Sequence, residues 1–214
     1  MVSSRSAPGR GAAPAGAKRK ATPRRKTAAA PDTAKRILDI AERLVQTRGF
    51  NGFSYADIAG ALAVTKASLH YHFPTKAELG TRLIARYEHG FLEALGEIDR
   101  TAPDARQKLA RYAKIYADVL RNNRMCLCGM LAAEYATLPK PMKDEMRHFF
   151  DENERWLVAV LEEGRRTGAL KFSGSSLDVA RALVGSLEGA MMLARSYGEV
   201  ARFEAVADRL LAEL

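Results

Sequence analysis

The chain has few cysteines and no long apolar run. Its 2 cysteines cannot form a disulfide framework, and no apolar stretch approaches the roughly 18 residues that a membrane helix requires. The first 30 residues also lack the continuous apolar core of a secretory signal. These absences predict a cytoplasmic protein with no membrane partner.

The motifs of the common catalytic and metal sites are missing as well. The sequence contains no G-x-S-x-G, no G-x-x-x-x-G-K, no H-E-x-x-H and no C-x-x-C. Its histidines, His70, His72, His89 and His148, do not have the spacing of a metal site. We therefore expect no enzyme activity, no cofactor and no metal.

Positive charge is concentrated in the first 30 residues. The net charge is +9, and eight basic residues with no acidic ones precede residue 31, which leaves about +1 for the remainder. This segment of small, polar and basic residues cannot bury enough apolar surface to fold, so residues 1–30 are predicted to be a disordered basic tail. The tail either adds sequence-independent affinity for phosphates or is a solvated extension without a role.

Residues 54–79 predict two short helices joined by a tight turn. Ser54 and Asp57 form a capping box, which predicts a helix from Tyr55 to about Leu62. Thr65 is the N-cap of a second helix, and Pro74 ends that helix. This is the spacing of a helix-turn-helix, whose second helix lies in the major groove of DNA.

The second helix has no acidic residue. Leu69 and Phe73 are four residues apart, so we expect both to be buried on one face of this helix. The residues expected to point outward can all form hydrogen bonds: Thr65, Lys66, Ser68, His70, Tyr71 and His72. Such a surface suits phosphates and base edges. Thr75 and Glu78 form another capping box, so a third helix begins at Lys76 and places a cation near the same surface.

The run VTKASLHYHFPTKAEL, preceded by DIA and by LVQTRGFNGFS, resembles the DNA-binding domain of the TetR (tetracycline-repressor-like) family of bacterial regulators. The resemblance covers roughly residues 33–90. The sequence departs from the family pattern at Ala63, where Gly is usual in the turn, and at Ala67 and His70. The resemblance implies an all-α fold of about nine helices.

The predicted fold has two parts. Residues 31–75 form an N-terminal three-helix helix-turn-helix domain, joined by a long helix from Lys76 to a helical effector-binding and dimerisation domain over residues 76–214. Apolar residues at helical spacing run along the long helix to Ile98, so movement of its far end would shift the DNA-binding unit. Further helices are predicted over about 104–122, 124–138, 142–167, 176–197 and 200–214.

The predicted partner is a double-stranded DNA operator. Lys66, Ala67 and Ser68 are assigned to base edges, and the phosphate contacts are assigned to Ser54, Thr65, His70, Tyr71, His72 and Lys76. A helix-turn-helix of this size makes few base contacts alone, so a homodimer on a palindromic operator is expected.

The helix at 176–197 carries a small-residue pattern that favours this dimer. Gly185 and Gly189, four residues apart, would let a partner helix approach closely, with Leu183, Leu187 and Met192 beside them. Tight packing within one chain is the alternative. The resemblance also implies dimerisation through the last two helices.

A small-molecule effector is the third predicted partner. Its pocket is assigned to an aromatic and sulfur-containing set suited to an apolar ligand: Tyr87, Phe91, Tyr112, Tyr116, Cys126, Met130, Phe149, Phe150 and Trp156. Each residue taken alone has an ordinary core position as its alternative.

Cys126 is the reactive candidate. Near Arg124 at a helix start, its thiol could have a depressed pKa and react with electrophiles or oxidants, and some electrophile-sensing relatives have a Gly-Cys-Leu run at this place. A buried inert thiol is the alternative. Cys126 and Cys128 would point about 200° apart on a helix, so they cannot readily bond each other.

The predicted function is therefore a repressor that is released from DNA by a small apolar ligand or by modification of Cys126. Two alternatives remain. One is a transcriptional activator, and the other is a non-specific DNA-binding protein whose affinity comes from the basic tail.

Overall fold

The computed structural model describes residues 30–214, with side chains from residue 33, and all regular secondary structure in this part of the chain is helical. Except for Ala30, the predicted disordered tail lies outside the described residues. Nine α-helices follow one another, as the sequence predicts: α1 Ala30–Arg48, α2 Tyr55–Leu62, α3 Lys66–His72, α4 Lys76–Thr101, α5 Ala105–Arg121, α6 Leu127–Ala133, α7 Lys140–Thr167, α8 Ser176–Tyr197 and α9 Val200–Ala212. A short 3-10 helix, Tyr135–Thr137, lies between α6 and α7.

Helices α1–α3 form a three-helix unit, called the reading head below. The Ser54 capping box is present, with the Ser54 N–H donating to Asp57 Oδ2 at 2.8 Å and the Ala56 N–H donating to Ser54 Oγ at 3.2 Å. Ile37, Ile58 and Leu69 are fully buried where the three helices meet. These apolar contacts fix the angle at which α3 leaves the turn.

The turn between α2 and α3 has a left-handed residue. Ala63 has φ +53°, a conformation that places its Cβ too close to the following carbonyl and that glycine adopts more readily. Thr65 then caps α3 by accepting from the Ser68 N–H at 3.2 Å. The connection is therefore as short as predicted, although one of its residues is strained.

Helix α6 is much shorter than the helix predicted over 124–138. The Met125 N–H donates to Gln46 O on α1 at 3.1 Å, so this backbone group is used outside any helix. Cys126 is the N-cap, and its Sγ accepts from the Gly129 N–H at 3.5 Å. Helix α7 starts earlier than predicted, at Lys140, because a proline in the first turn loses no helical hydrogen bond.

Helices α4–α9 form the larger lobe. Helix α4 packs on α7, α8 packs on α7 and α9, and α6 contacts both α1 and α7. The reading head therefore touches the lobe through α6 as well as through α4. Within residues 30–214, no helix has the length and apolarity needed to cross a bilayer.

Candidate functional site

The outer face of α3 carries the residues predicted to meet DNA. Leu69 is buried, while Tyr71 is 80% exposed. Thr65, Lys66, Ala67 and His70 are exposed, and Ser68 and His72 are half-buried. The helix therefore presents hydroxyl, imidazole, phenol and ammonium groups on one accessible surface, with no carboxylate among them.

Ser54 and His70, two of the predicted phosphate contacts, already donate hydrogen bonds within the chain. The Ser54 hydroxyl donates to Asp57 Oδ2 at 2.8 Å, so its hydrogen is used in the capping box. His70 Nδ1 donates to Pro74 O at 3.0 Å, and its ring lies 4.8 Å from the ring of Tyr55. The bond to Pro74 leaves Nε2 as the ring atom for another partner.

Lys76 requires a correction. Its ammonium donates to Phe50 O at 2.5 Å and also to Phe53 O, and it lies 4.6 and 4.1 Å from the centroids of the Phe50 and Phe53 rings. Burial is the largest effect on its pKa, which is lowered, and the nearby Glu134 carboxylate opposes that change. The cation predicted to meet a phosphate instead holds the loop between α1 and α2.

Glu134, which was not predicted from the sequence, holds the same loop from the other side. At the end of α6, its Oε2 accepts from the Phe50 N–H at 2.6 Å, and its Oε1 accepts from the Asn51 N–H at 3.2 Å. Gly49 has φ +82°, and a Cβ there would lie 2.7 Å from Glu134 Oε1. The loop is therefore clamped between α4 and α6.

Arg195 of α8 provides a third link to the reading head. Its guanidinium donates to Gln46 O at 3.1 Å and to Thr47 O at 2.5 Å, two of the carbonyls at the end of α1 that have no helical partner. Because Met125 bonds to the same Gln46 carbonyl, the segment before α6 and helix α8 are both anchored at the end of α1.

The residues predicted to form the effector pocket come together inside the lobe. Phe91 lies 5.1 Å from Phe149 and 6.3 Å from both Tyr112 and Tyr116, measured between ring centroids. Tyr87 and Phe150 pack on Phe149 at 5.7 and 5.4 Å, and Trp156 stacks on Tyr112 at 5.6 Å. Met130 is half-buried in the same core.

A chain of polar groups crosses this aromatic cluster. The Asn153 amide donates to the Tyr116 hydroxyl at 3.1 Å, and the hydroxyls of Tyr116 and Tyr112 are 3.0 Å apart. The Tyr87 hydroxyl lies 3.8 Å from Cys126 Sγ. Burial raises the pKa of all three tyrosines, so they stay neutral.

Glu188 of α8 enters the same interior, and sequence reasoning missed it. Its carboxylate oxygens are buried and have no hydrogen-bond partner among the described residues. Burial raises its pKa to about 7, and the Cys126 thiol beside it lowers the pKa in part. Glu188 lies four residues after Val184 and three residues before Met191, and both of these are buried. Helical periodicity could therefore have placed Glu188 on the buried face of α8.

Of the two alternatives for Cys126, the structure agrees with the buried thiol and not with a thiol of depressed pKa. Cys126 is only 2% exposed, and burial, followed by the charge of Glu188, raises its pKa well above the usual value. The pKa of Cys128 is raised by the same two causes. The described residues also contain no group of three or more His, Cys, Asp or Glu side chains that could hold a metal ion.

Comparison with known proteins agrees with the arrangement of a helix-turn-helix below a helical lobe. The model of the bacterial regulatory proteins of the tetR family matches residues 37–83, and the model of the tetracyclin repressor-like C-terminal domain matches residues 105–210. The chain belongs to the TetR family of transcriptional regulators. It is accordingly a regulator and not an enzyme.

Individual relatives extend over most of the chain. The structure of a TetR-family regulator from Agrobacterium tumefaciens is 31% identical, with a TM-score of 0.84 over 86% of this chain and 98% of that one. The transcriptional repressor NemR of Escherichia coli (strain K12) is 25% identical over 77% of this chain and 84% of its own length. The repressor DhaR of Mycobacterium sp. (strain GP1) is 25% identical over 68% and 73%, respectively.

The predicted dimer residues of this TetR-family chain fall into two groups. Leu183 and Leu187 are 3% and 1% exposed inside their own chain, so they need correction: they pack the lobe and are not available to a partner. Gly185 and Gly189 have open space where a Cβ would point, and Met192 is 51% exposed. The second group lies on one exposed face of α8, together with Leu193.

Proposed function

We propose that this TetR-family regulator is a repressor, which binds a palindromic operator as a homodimer and leaves it when the lobe interior takes up a small molecule. The observation that carries the DNA-binding part is the accessible, acid-free face of α3. Lys66, Ala67 and Ser68 are assigned to base edges, with phosphate contacts from Thr65, Tyr71 and His72. Ser54 contributes only if its hydroxyl exchanges its present partner, whereas His70 has Nε2, the ring atom that its bond to Pro74 leaves free.

Repression is favoured over activation by the relatives. NemR and DhaR are both repressors, and each is similar to this chain over most of its length. A promoter reporter with the selected operator distinguishes the two modes. Repression predicts that reporter output falls when the regulator is expressed and recovers when the gene is deleted, whereas an activator gives the opposite changes.

The specific DNA-binding function is tested by operator selection from random DNA, using the full chain and a chain that lacks residues 1–29. A specific repressor selects the same palindrome with both proteins, although the shortened chain binds more weakly and with a smaller salt dependence. Loss of all sequence preference on shortening would instead favour the basic tail as the source of DNA binding.

The homodimer is supported by the exposed face of Gly185, Gly189, Met192 and Leu193 on α8. Because a Cβ at Gly189 meets open space within its own chain, Gly189→Arg should fold normally while placing a charge at the interface. We expect it to sediment as a monomer and to lose operator binding. Gly90→Arg on α4, also open, is the matched control and should remain dimeric.

A ligand is favoured over thiol modification as the releasing signal. The Cys126 thiol is buried and its pKa is raised, so little thiolate is available to react. Treatment with iodoacetamide should modify Cys126 slowly in the folded protein. Rapid modification accompanied by loss of operator binding, absent in Cys126→Ser, would restore the thiol as the sensor.

A further inference from the structure

The Glu188 carboxylate is a buried acidic group without a compensating partner. Neither Oε1 nor Oε2 has a hydrogen bond of good geometry among the described residues, although both are shielded from water and the Cys126 thiol, a weak donor, lies beside them. A buried carboxylate of this kind normally pairs with a cation or with several donors, because an unpaired charge inside a protein costs several kcal/mol. When it is ionised, the carboxylate therefore carries a charge that the described part of the chain does not pair with a cation.

The groups that face Glu188 come from several helices, and none is cationic. They are the hydroxyls of Tyr87 on α4 and of Tyr112 and Tyr116 on α5, and the thiols of Cys126 and Cys128 around the start of α6. Each is neutral and remains so, since burial is the largest effect on its pKa. A negative charge at Glu188 is thus uncompensated.

Aromatic rings make up much of the same interior. Phe91, Phe149 and Trp156 pack with tyrosines that interact electrostatically with Glu188, so the carboxylate lies in an interior rich in aromatic rings. Ring faces attract organic cations by their quadrupole, and the attraction grows when water is excluded. A carboxylate among aromatic rings is complementary to a small organic cation more than to a neutral apolar molecule.

We infer that the lobe interior is a binding site for a small organic ammonium or amidinium ion, whose N–H groups donate to both Glu188 oxygens while its body packs among the aromatic side chains. This inference deepens the proposed function by naming the chemical class of the effector, and its link to gene regulation rests on that function. It replaces the purely apolar ligand expected from the aromatic set alone.

A surface groove offers a way in. It is lined by Tyr87, Gly90 and Phe91 of α4, together with Arg86, whose charge is paired with Glu42 of α1. Tyr87 extends from this groove to the interior, where its hydroxyl lies 3.8 Å from Sγ of Cys126, the thiol beside Glu188.

The site is also connected to the reading head. A Cβ at Gly129 would lie 2.1 Å from Glu188 Oε2, so the carboxylate lies directly against the backbone of α6. The two ends of the α6 segment bond to the head, through Met125 to Gln46 and through Glu134 to Phe50. A ligand that draws the Glu188 carboxylate toward itself would relieve this contact and let α6 move.

The test compares cations with neutral molecules of the same shape. Binding of benzamidine against benzamide, benzylamine against benzyl alcohol, and butylamine against butanol is measured by calorimetry and by Trp156 fluorescence, with the full chain at pH 8 and without DNA. At least one cation is expected to bind about tenfold or more tightly than its neutral counterpart, as a charge-assisted hydrogen bond predicts. If no cation is preferred, the inference is wrong.

Glu188→Gln is the matched variant, and it should bring the cation and its neutral counterpart to similar affinities. An undiminished preference in this variant would equally overturn the inference. Removing a buried unpaired charge should not impair folding, and Glu188→Met of similar volume provides a second variant. Operator binding without any cation is measured in parallel, so failure of the repressor function is recognised separately from failure of the cation site.

Discussion

Glu134 accepts a hydrogen bond from the backbone N–H of Phe50, with Oε2 2.6 Å from the nitrogen, although the two residues are 84 positions apart. The Phe50 carbonyl is bonded in turn by Lys76. One peptide segment of the reading head is therefore held by the end of α6 and by the start of α4. The lobe is therefore linked to the head through α6 and, by Arg195, through α8, where the sequence predicted only the long helix α4.

Glu134→Ala should uncouple α6 from the reading head. Loss of the charge-assisted bonds to Phe50 and Asn51 is expected to lower the free energy of unfolding by about 1–3 kcal/mol. Operator affinity should also fall, because the loop that positions α2 is released. Urea denaturation and fluorescence anisotropy measure the two effects. Glu162 is exposed, so Glu162→Ala is the control. It should change neither the free energy of unfolding nor the operator affinity.

Lys66 and Lys76 should respond differently to replacement by alanine. Lys66→Ala removes a group assigned to the base edges, so operator affinity should fall by about 1–3 kcal/mol with little change in melting temperature. Lys76→Ala leaves two carbonyls without their donor, so its melting temperature should fall. An unchanged melting temperature for Lys76→Ala, with a lower salt dependence of DNA binding, would return this cation to the phosphate contacts.

Glu188 should make stability depend on pH. Burial raises its pKa from 4.5 to about 7 in the folded state, so the folded protein holds this proton more tightly than the unfolded chain. The stabilisation is fully present below pH 4.5 and is lost as pH rises through 7. Between pH 5.5 and 8, wild type should lose about 2 kcal/mol relative to Glu188→Gln. Urea denaturation measures both free energies. If they change equally between the two pH values, ionisation of Glu188 does not destabilise the folded protein.

Ala63→Gly should stabilise the turn of the helix-turn-helix. Alanine at φ +53° carries a steric cost that glycine avoids, and the greater freedom of glycine in the unfolded chain offsets part of the gain. A net increase of up to about 1 kcal/mol in the free energy of unfolding is expected. Ala61→Gly in the regular turn of α2 is the control, and it should destabilise by a similar amount.

Local signals in the sequence located most of the helices. The capping box at Ser54 and the caps at Thr65 and Thr75 depend on neighbouring residues only, and α2, α3 and α4 begin where these predict. Of the box predicted at Thr75, the structure shows the cap, in which the Glu78 N–H donates to Thr75 Oγ1 at 3.1 Å. Helix α6 was predicted too long because Met125 bonds to Gln46, a residue far away in the chain. No local pattern records that contact.

The DNA-binding and dimer residues could be predicted less fully than the helices, because their environment depends on contacts between distant parts of the chain. The outward face of α3 follows from the burial of Leu69, so its exposed residues could be read from spacing. The sequence could not show that Lys76 turns toward Phe50 and Phe53, or that Leu183 and Leu187 pack inside their own chain while Met192 does not. Those outcomes depend on where distant helices lie.

Helix α6 has only seven residues, which is too short for a helix to persist by its own hydrogen bonds. Its folding is therefore conditional on its neighbours: the end of α1 at Met125, the Glu188 carboxylate at Gly129 and the head loop at Glu134. Weakening any one of these contacts lowers the free energy of opening this short helix. Local unfolding of α6 would then require less free energy than rigid displacement of a whole helix. A ligand bound in the lobe interior could release the reading head in this way.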